Sequence, residues 1–134
     1  MNERILVADD DDDIRGLVTF TLRRRGYNVL EAHAGDTALE LVRAERPNLA
    51  VLDVGMPGLN GIEVAAAMKE DMACAAIPII ILSAKGQSAE IEQGLSVGAE
   101  KYLVKPFAPK DLAAMVAEVL AATSHSQEHT HDCH

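Results

Sequence analysis

Four short apolar runs in this chain each hand over to a residue able to do chemistry. Ile5-Leu6-Val7-Ala8 leads into Asp9-Asp10, Leu49-Ala50-Val51-Leu52 into Asp53, Ile79-Ile80-Ile81-Leu82 into Ser83, and Tyr102-Leu103-Val104 into Lys105-Pro106. Three carboxylates, one hydroxyl and one ammonium suit a divalent cation together with a phosphoryl group. Hard oxygen ligands match Mg2+, and Mn2+ also fits. A phosphate takes hydroxyl donors and a counter-charge, which Ser83 and Lys105 supply. Asp53 precedes a loop, Val54 to Gly61, that holds three glycines and one proline. Such a backbone turns tightly and lets a ligand approach, and an aspartate there has the chemistry of a nucleophile forming an acyl phosphate. Each residue also has a plainer reading. An aspartate at a turn often bonds its own loop, a serine caps a strand, and a lysine is usually a solvated charge. The combination favours the site.

The carboxylates from Asp9 to Asp13 divide in two. Asp11 reads as the N-cap of a helix, with Asp12 and Asp13 in its first turn, where the helix dipole favours negative charge. Asp9 and Asp10 come earlier, at the end of a strand. With Asp53 beside them, like charges ~4 Å apart repel by about 4 kcal/mol at an effective dielectric near 20, which a bound cation removes.

Elements that position these residues alternate along the chain. Strand-like runs cover Arg4 to Ala8, Asn28 to Ala32, Asn48 to Asp53, Pro78 to Ser83 and Glu100 to Lys105. Between and after them come helical patterns: Ile14, Leu17, Val18 and Leu22, closed by Gly26; Ala34 to Val42, stopped by Pro47; Ile62 to Met68; a short fourth through Ile91 and Leu95; and Leu112, Met115, Val116, Val119 and Leu120. Strands alternating with helices predict an α/β fold, a doubly wound five-stranded parallel sheet with helices on both faces. By analogy with flavodoxin-like folds the strand order is 2-1-3-4-5, and ligands then bind at the carboxyl ends of the strands around the topological switch point.

The 134 residues carry a formal charge of -9, which speaks against a nucleic-acid surface, since that needs a basic stripe. Cys74 and Cys133 have no framework spacing, which fits a reducing cytoplasm. No signal peptide is visible, and the longest apolar stretch is too short to span a bilayer. Residues 1–122 form the expected domain. Residues 123–134 form an expected flexible polar tail carrying His125, His129, His131, His134 and Cys133; these are competent metal ligands without the spacing of a folded finger.

The motifs Ile-Leu-Val-Ala-Asp-Asp, Val-Leu-Asp-Val-Gly-Met-Pro-Gly-Leu-Asn-Gly, Ile-Ile-Leu-Ser-Ala and Gly-Ala-Glu-Lys-Tyr-Leu-Val-Lys-Pro-Phe occur in this order. Over Glu3 to about Ala122 the chain therefore resembles the CheY-like receiver domain of two-component response regulators. The resemblance implies that Asp53 accepts a phosphoryl group from a sensor histidine kinase or a histidine phosphotransfer protein. It implies that Asp10, Asp53 and the backbone carbonyl of Gly55 hold Mg2+, with Asp9 assisting through water. Ser83 and Lys105 would contact the phosphoryl oxygens, and Tyr102 would be an aromatic switch remodelling the face of the fourth helix, fifth strand and fifth helix. An unidentified output protein or a phosphorylation-dependent homodimer would read that face. The resemblance departs at Asp12, where proline is frequent, and at Ser83, where threonine is frequent. Gly55 and Lys85 flank the acceptor and are expected to tune loss of the phosphoryl group. The expected protein is a phosphoacceptor rather than an enzyme acting on outside substrates, because Gly55 stands where an aspartyl-phosphate phosphohydrolase has its general acid. A receiver cut from a longer regulator and a phosphorylation-independent interaction module are the alternatives.

Overall fold

The computed structural model describes residues 3–84, 92 and 96–132. Its elements are β1 Arg4–Ala8, α1 Asp12–Arg24, β2 Asn28–Ala32, α2 Gly35–Glu45, β3 Leu49–Asp53, α3 Gly61–Glu70, β4 Ile79–Ala84, β5 Lys101–Lys105 and α4 Pro109–Asp132. Lys85 and most of the expected helix around Ile91 and Leu95 lie outside the described residues. The strands form one sheet in the order β2-β1-β3-β4-β5, the order expected by analogy, and every neighbouring pair is parallel.

Strand periodicity builds two cores, one on each face. Leu6, Ala8, Ala50, Leu52, Ile79 and Ile81 share a face with Val42 of α2 and with Val64 and Met68 of α3. Ile5, Val7, Val51, Ile80 and Leu82 share the other with Val18 and Leu22 of α1 and with Leu112, Val116 and Val119 of α4. Complete burial of such a side chain contributes about 1.5–3 kcal/mol, so the continuous apolar runs of the central strands are what holds the sheet. The same alternation sorts the strand ends. Asp9, Asp53 and Lys105 continue the rows of Val7, Val51 and Leu103, whereas Ser83 continues the row of Ile79 and Ile81.

Local signals set the helix ends. The Asp11 side chain accepts from the backbone N–H of Asp13 and Ile14 at 2.9 and 3.2 Å, which is the expected N-cap. Asn60 and Glu63 close α3 with a reciprocal capping box. At the end of α2, Arg46 takes a left-handed conformation (φ 45°) just before Pro47. The backbone of the last helix runs from Pro109 through Thr123 to Asp132. Thr123 to His134 holds neither glycine nor proline, the residues that stop a helix, and the loss of apolar residues there does not itself stop one. Among the described residues no helix is long and apolar enough to cross a membrane.

Candidate functional site

The site lies where the winding of the sheet reverses, at the carboxyl ends of β1 and β3 with β5 reaching across. Asp9 is fully buried and Asp53 nearly so, while Asp10 is exposed. One oxygen from each of the three lies within 4.8 Å of the other two. The Lys105 ammonium sits between the buried pair, with Nζ 2.7 Å from Asp53 Oδ1 and 2.9 Å from Asp9 Oδ2. Backbone groups take the opposite oxygens: Gly55 N–H donates to Asp53 Oδ2 at 3.1 Å, and Asp11 N–H to Asp9 Oδ1 at 3.0 Å.

Three carboxylates face one ammonium, so the cluster keeps an excess of two negative charges when all are ionised. That excess, the all-oxygen donor set and the open side at Asp10 fit a hard divalent cation such as Mg2+. Burial pushes the Asp53 pKa above its ordinary 3.8; the Lys105 hydrogen bond opposes this and the charge of Asp9 adds to it. For Lys105 burial acts downward, but the hydrogen bonds and charges of Asp53 and Asp9 together outweigh it, and its pKa is raised.

Ser83 stands at the end of β4, fully buried, and its Oγ has no hydrogen-bond partner among the described residues. Tyr102 belongs to the same sheet face as Ser83, because Ile81 pairs with Tyr102 and Ser83 with Val104. It is 41% exposed. Gly55 is exposed, and a Cβ there would lie 3.4 Å from Asp53 Oδ2, an ordinary contact.

Two residues that support the site were not singled out in the sequence: Gly61 was read as a loop glycine, and Arg15 was not read at all. Gly61 begins α3 so close to β3 that a Cβ would fall 2.5 Å from the Asp53 carbonyl oxygen. Arg15 donates to the Asp9 carbonyl at 2.8 Å and also pairs with Asp12 at 2.6 Å and Glu31 at 3.2 Å. Its place one turn after the Asp11 cap was the available signal, since an arginine there can reach back to the strand end. Asp12 thus combines its first-turn position with an ion pair to Arg15.

The profile for the response regulator receiver domain matches residues 5–117. The chain belongs to this family. It is 40% identical over 120 residues to the alkaline phosphatase synthesis transcriptional regulatory protein PhoP of Bacillus subtilis, covering 90% of this chain and 49% of that protein. It is also 40% identical over 123 residues to the phosphate regulon transcriptional regulatory protein PhoB of Pseudomonas aeruginosa, covering 92% of this chain and 54% of the other. This receiver chain therefore spans about half the length of the curated relatives it matches. Among solved structures, a putative response regulator from Chloroflexus aurantiacus superimposes with a TM-score of 0.86 at 31% identity, over 90% of this chain and 99% of that one. The chemotaxis response regulator CheY4 of Vibrio cholerae gives 0.83 at 32% identity, over 89% and 99%.

Proposed function

We propose that this receiver is a phosphorylation-operated switch with Asp53 as the acceptor. The observation that carries the reading is a nearly buried aspartate whose one oxygen is held by Lys105, beside two further carboxylates at the switch point of the sheet. The donor is the phosphohistidine of a sensor kinase or of a phosphotransfer protein. An Asp53 oxygen bonds to phosphorus while the phosphorus–nitrogen bond breaks; the imidazole keeps the electron pair and then takes a proton from solvent. The residues contribute mainly position and charge. Asp10, Asp53 and the Gly55 carbonyl would hold Mg2+, with Asp9 assisting through water. When bound, the ion neutralises charge on the phosphoryl oxygens. Lys105 supplies the second neutralising charge.

Phosphorylation adds roughly -1.5 to -2 charges and strong acceptor oxygens. The Ser83 hydroxyl, which has no partner among the described residues, gains an acceptor in that state, which biases β4 and then Tyr102 on the same sheet face. The surface of β5 and α4 is the described part of the face offered to an output protein or to a second copy of the chain; the helix expected before β5 lies outside the described residues. Exposed Ala114, Ala117 and Ala121 on α4 leave room for close approach. The cytoplasm is the compartment that goes with this reading.

Incubation with acetyl phosphate and Mg2+, read by intact mass, tests the assignment. The wild type is expected to gain one phosphoryl group, and Asp53→Asn none. Modification of both to the same extent would remove Asp53 from the role.

A further inference from the structure

The Arg15 side chain is only 18% exposed, and its nitrogens reach acceptors on three different elements. Nη1 donates to the Asp9 carbonyl at the end of β1 at 2.8 Å, Nε to Glu31 of β2 at 3.2 Å, and Nη2 to Asp12 in the first turn of α1 at 2.6 Å. A plainer account is a helix-supporting ion pair, since Asp12 and Arg15 stand at i and i+3. Such a pair adds little to a helix, and it needs neither a mostly buried guanidinium nor a bond to Asp9. The N-terminal end of a helix also disfavours a cation, so the dipole gives no reason for an arginine one turn after the Asp11 cap.

The bond to Asp9 controls a peptide plane. The Asp9 carbonyl belongs to the peptide that joins Asp9 to Asp10. Before it, Asp9 N–H donates to the Ala32 carbonyl at 3.1 Å and keeps Asp9 in register with the sheet. After it, Asp11 N–H donates to Asp9 Oδ1 at 3.0 Å and anchors the peptide between Asp10 and Asp11. Asp10 thus stands between two anchored peptides, one held by Arg15 and the other by the Asp9 side chain. Its own carboxylate is exposed yet lies with those of Asp9 and Asp53, so the backbone on either side is what directs it there.

We propose that Arg15 is a positioning residue for the cation site: by holding the Asp9 carbonyl it orients the peptide before Asp10 and keeps the Asp10 carboxylate beside Asp9 and Asp53. Glu31 and Asp12 hold the guanidinium in turn. The role rests on the reading that Asp10 is a ligand of Mg2+. Its effect has the opposite sign to that of charge alone. Removing a cation near the site tightens Mg2+ binding through Coulomb repulsion relieved, whereas releasing the backbone of a ligand weakens it.

Mg2+ is titrated into the full chain by calorimetry. R15M removes the charge and all three bonds, and R15K keeps the charge but cannot reproduce the fork. R24M removes a cation from the exposed side of the same helix, where the Arg24 guanidinium lies 5.7 Å from the centre of the Phe20 ring, and reports charge alone. Affinity is expected to fall by about tenfold in R15M and by less in R15K, and to stay level or rise slightly in R24M. Urea midpoints in chelator establish that each variant is folded at the titration temperature, so that lost affinity is not lost protein; if R15M is not folded, R15K decides. Affinity equal to or tighter than the wild type in the deciding variant would overturn the proposal, as would an equal loss in R24M. A wild type that binds no Mg2+ would remove the reading of Asp10 and this role with it. Binding that D10A abolishes and the Arg15 variants leave unchanged would remove the positioning role alone.

Discussion

Asp53 is 5% exposed, and its neighbour Asp9 is a second buried carboxylate. Its raised pKa means that, between the ordinary carboxylate range and its own folded value, the folded state holds more protons than the unfolded one. Stability therefore falls as pH rises through that window, and the cost of the ionised group persists above it. Asp53→Asn removes this cost. In chelator at neutral pH the variant is expected to unfold at a higher urea concentration than the wild type. The difference should shrink on acidification, as the wild-type carboxyl protonates, and on adding Mg2+, which stabilises the wild-type folded state by binding to it. A lower midpoint for Asp53→Asn under all these conditions would count against burial as the source of the shift. Asp10 is the converse case. It is exposed, so Asp10→Ala is expected to change stability by less than about 0.5 kcal/mol while weakening Mg2+ binding, measured by calorimetry.

Between residue and fold, the elements do different work for the same edge. Asp11 belongs to α1, and Asp11→Ala removes a cap worth about 1 kcal/mol. Denaturation should register that loss while Asp53 still accepts a phosphoryl group. Gly61 belongs to the junction of β3 and α3. The Cβ of Gly61→Ala would fall 2.5 Å from the Asp53 carbonyl oxygen, so the backbone must shift. A cost of about 1–3 kcal/mol is expected, together with slower phosphorylation, because the displaced atoms belong to the proposed acceptor. What the sequence made legible follows from the same division. Apolar strands ending in Asp9, Asp53, Ser83 and Lys105 announce themselves because their chemistry contrasts with the run before them. Strand order does not, since a buried parallel strand looks alike at every place in the sheet; here it came from analogy. Arg15 was hidden because its tie to the Asp9 carbonyl exists only once α1 packs beside β1. Thr123 to Asp132 has no apolar stripe, so periodicity alone offers no reading of the helical backbone there.

Across the whole molecule, the candidate site residues are divided between the two faces of one sheet. Asp9, Asp53 and Lys105 continue the rows that pack against α1 and α4, whereas Ser83 and Tyr102 share the face that carries α2 and α3. In the proposed switch a signal would cross the strands, and they are not equally firm. β3 is buried along its full length, and β5, at the edge of the sheet, is exposed or half-buried throughout. Local opening favours the strand with fewer buried contacts, so β5 is the element able to change while β1 and β3 stay fixed. Hydrogen exchange on the chain with and without acetyl phosphate and Mg2+ is expected to change protection at residues 101–105 and leave the amides of β1 and β3 as they were. Ser83→Ala separates acceptance from transmission. The substitution removes a hydroxyl that has no hydrogen-bond partner among the described residues, so the unmodified fold is expected to lose little or no stability. Asp53 should still gain its phosphoryl group in this variant, but the change in protection across β5 should disappear. A full β5 response in Ser83→Ala would mean that the signal leaves the site through Lys105, along β5 itself, and not through β4.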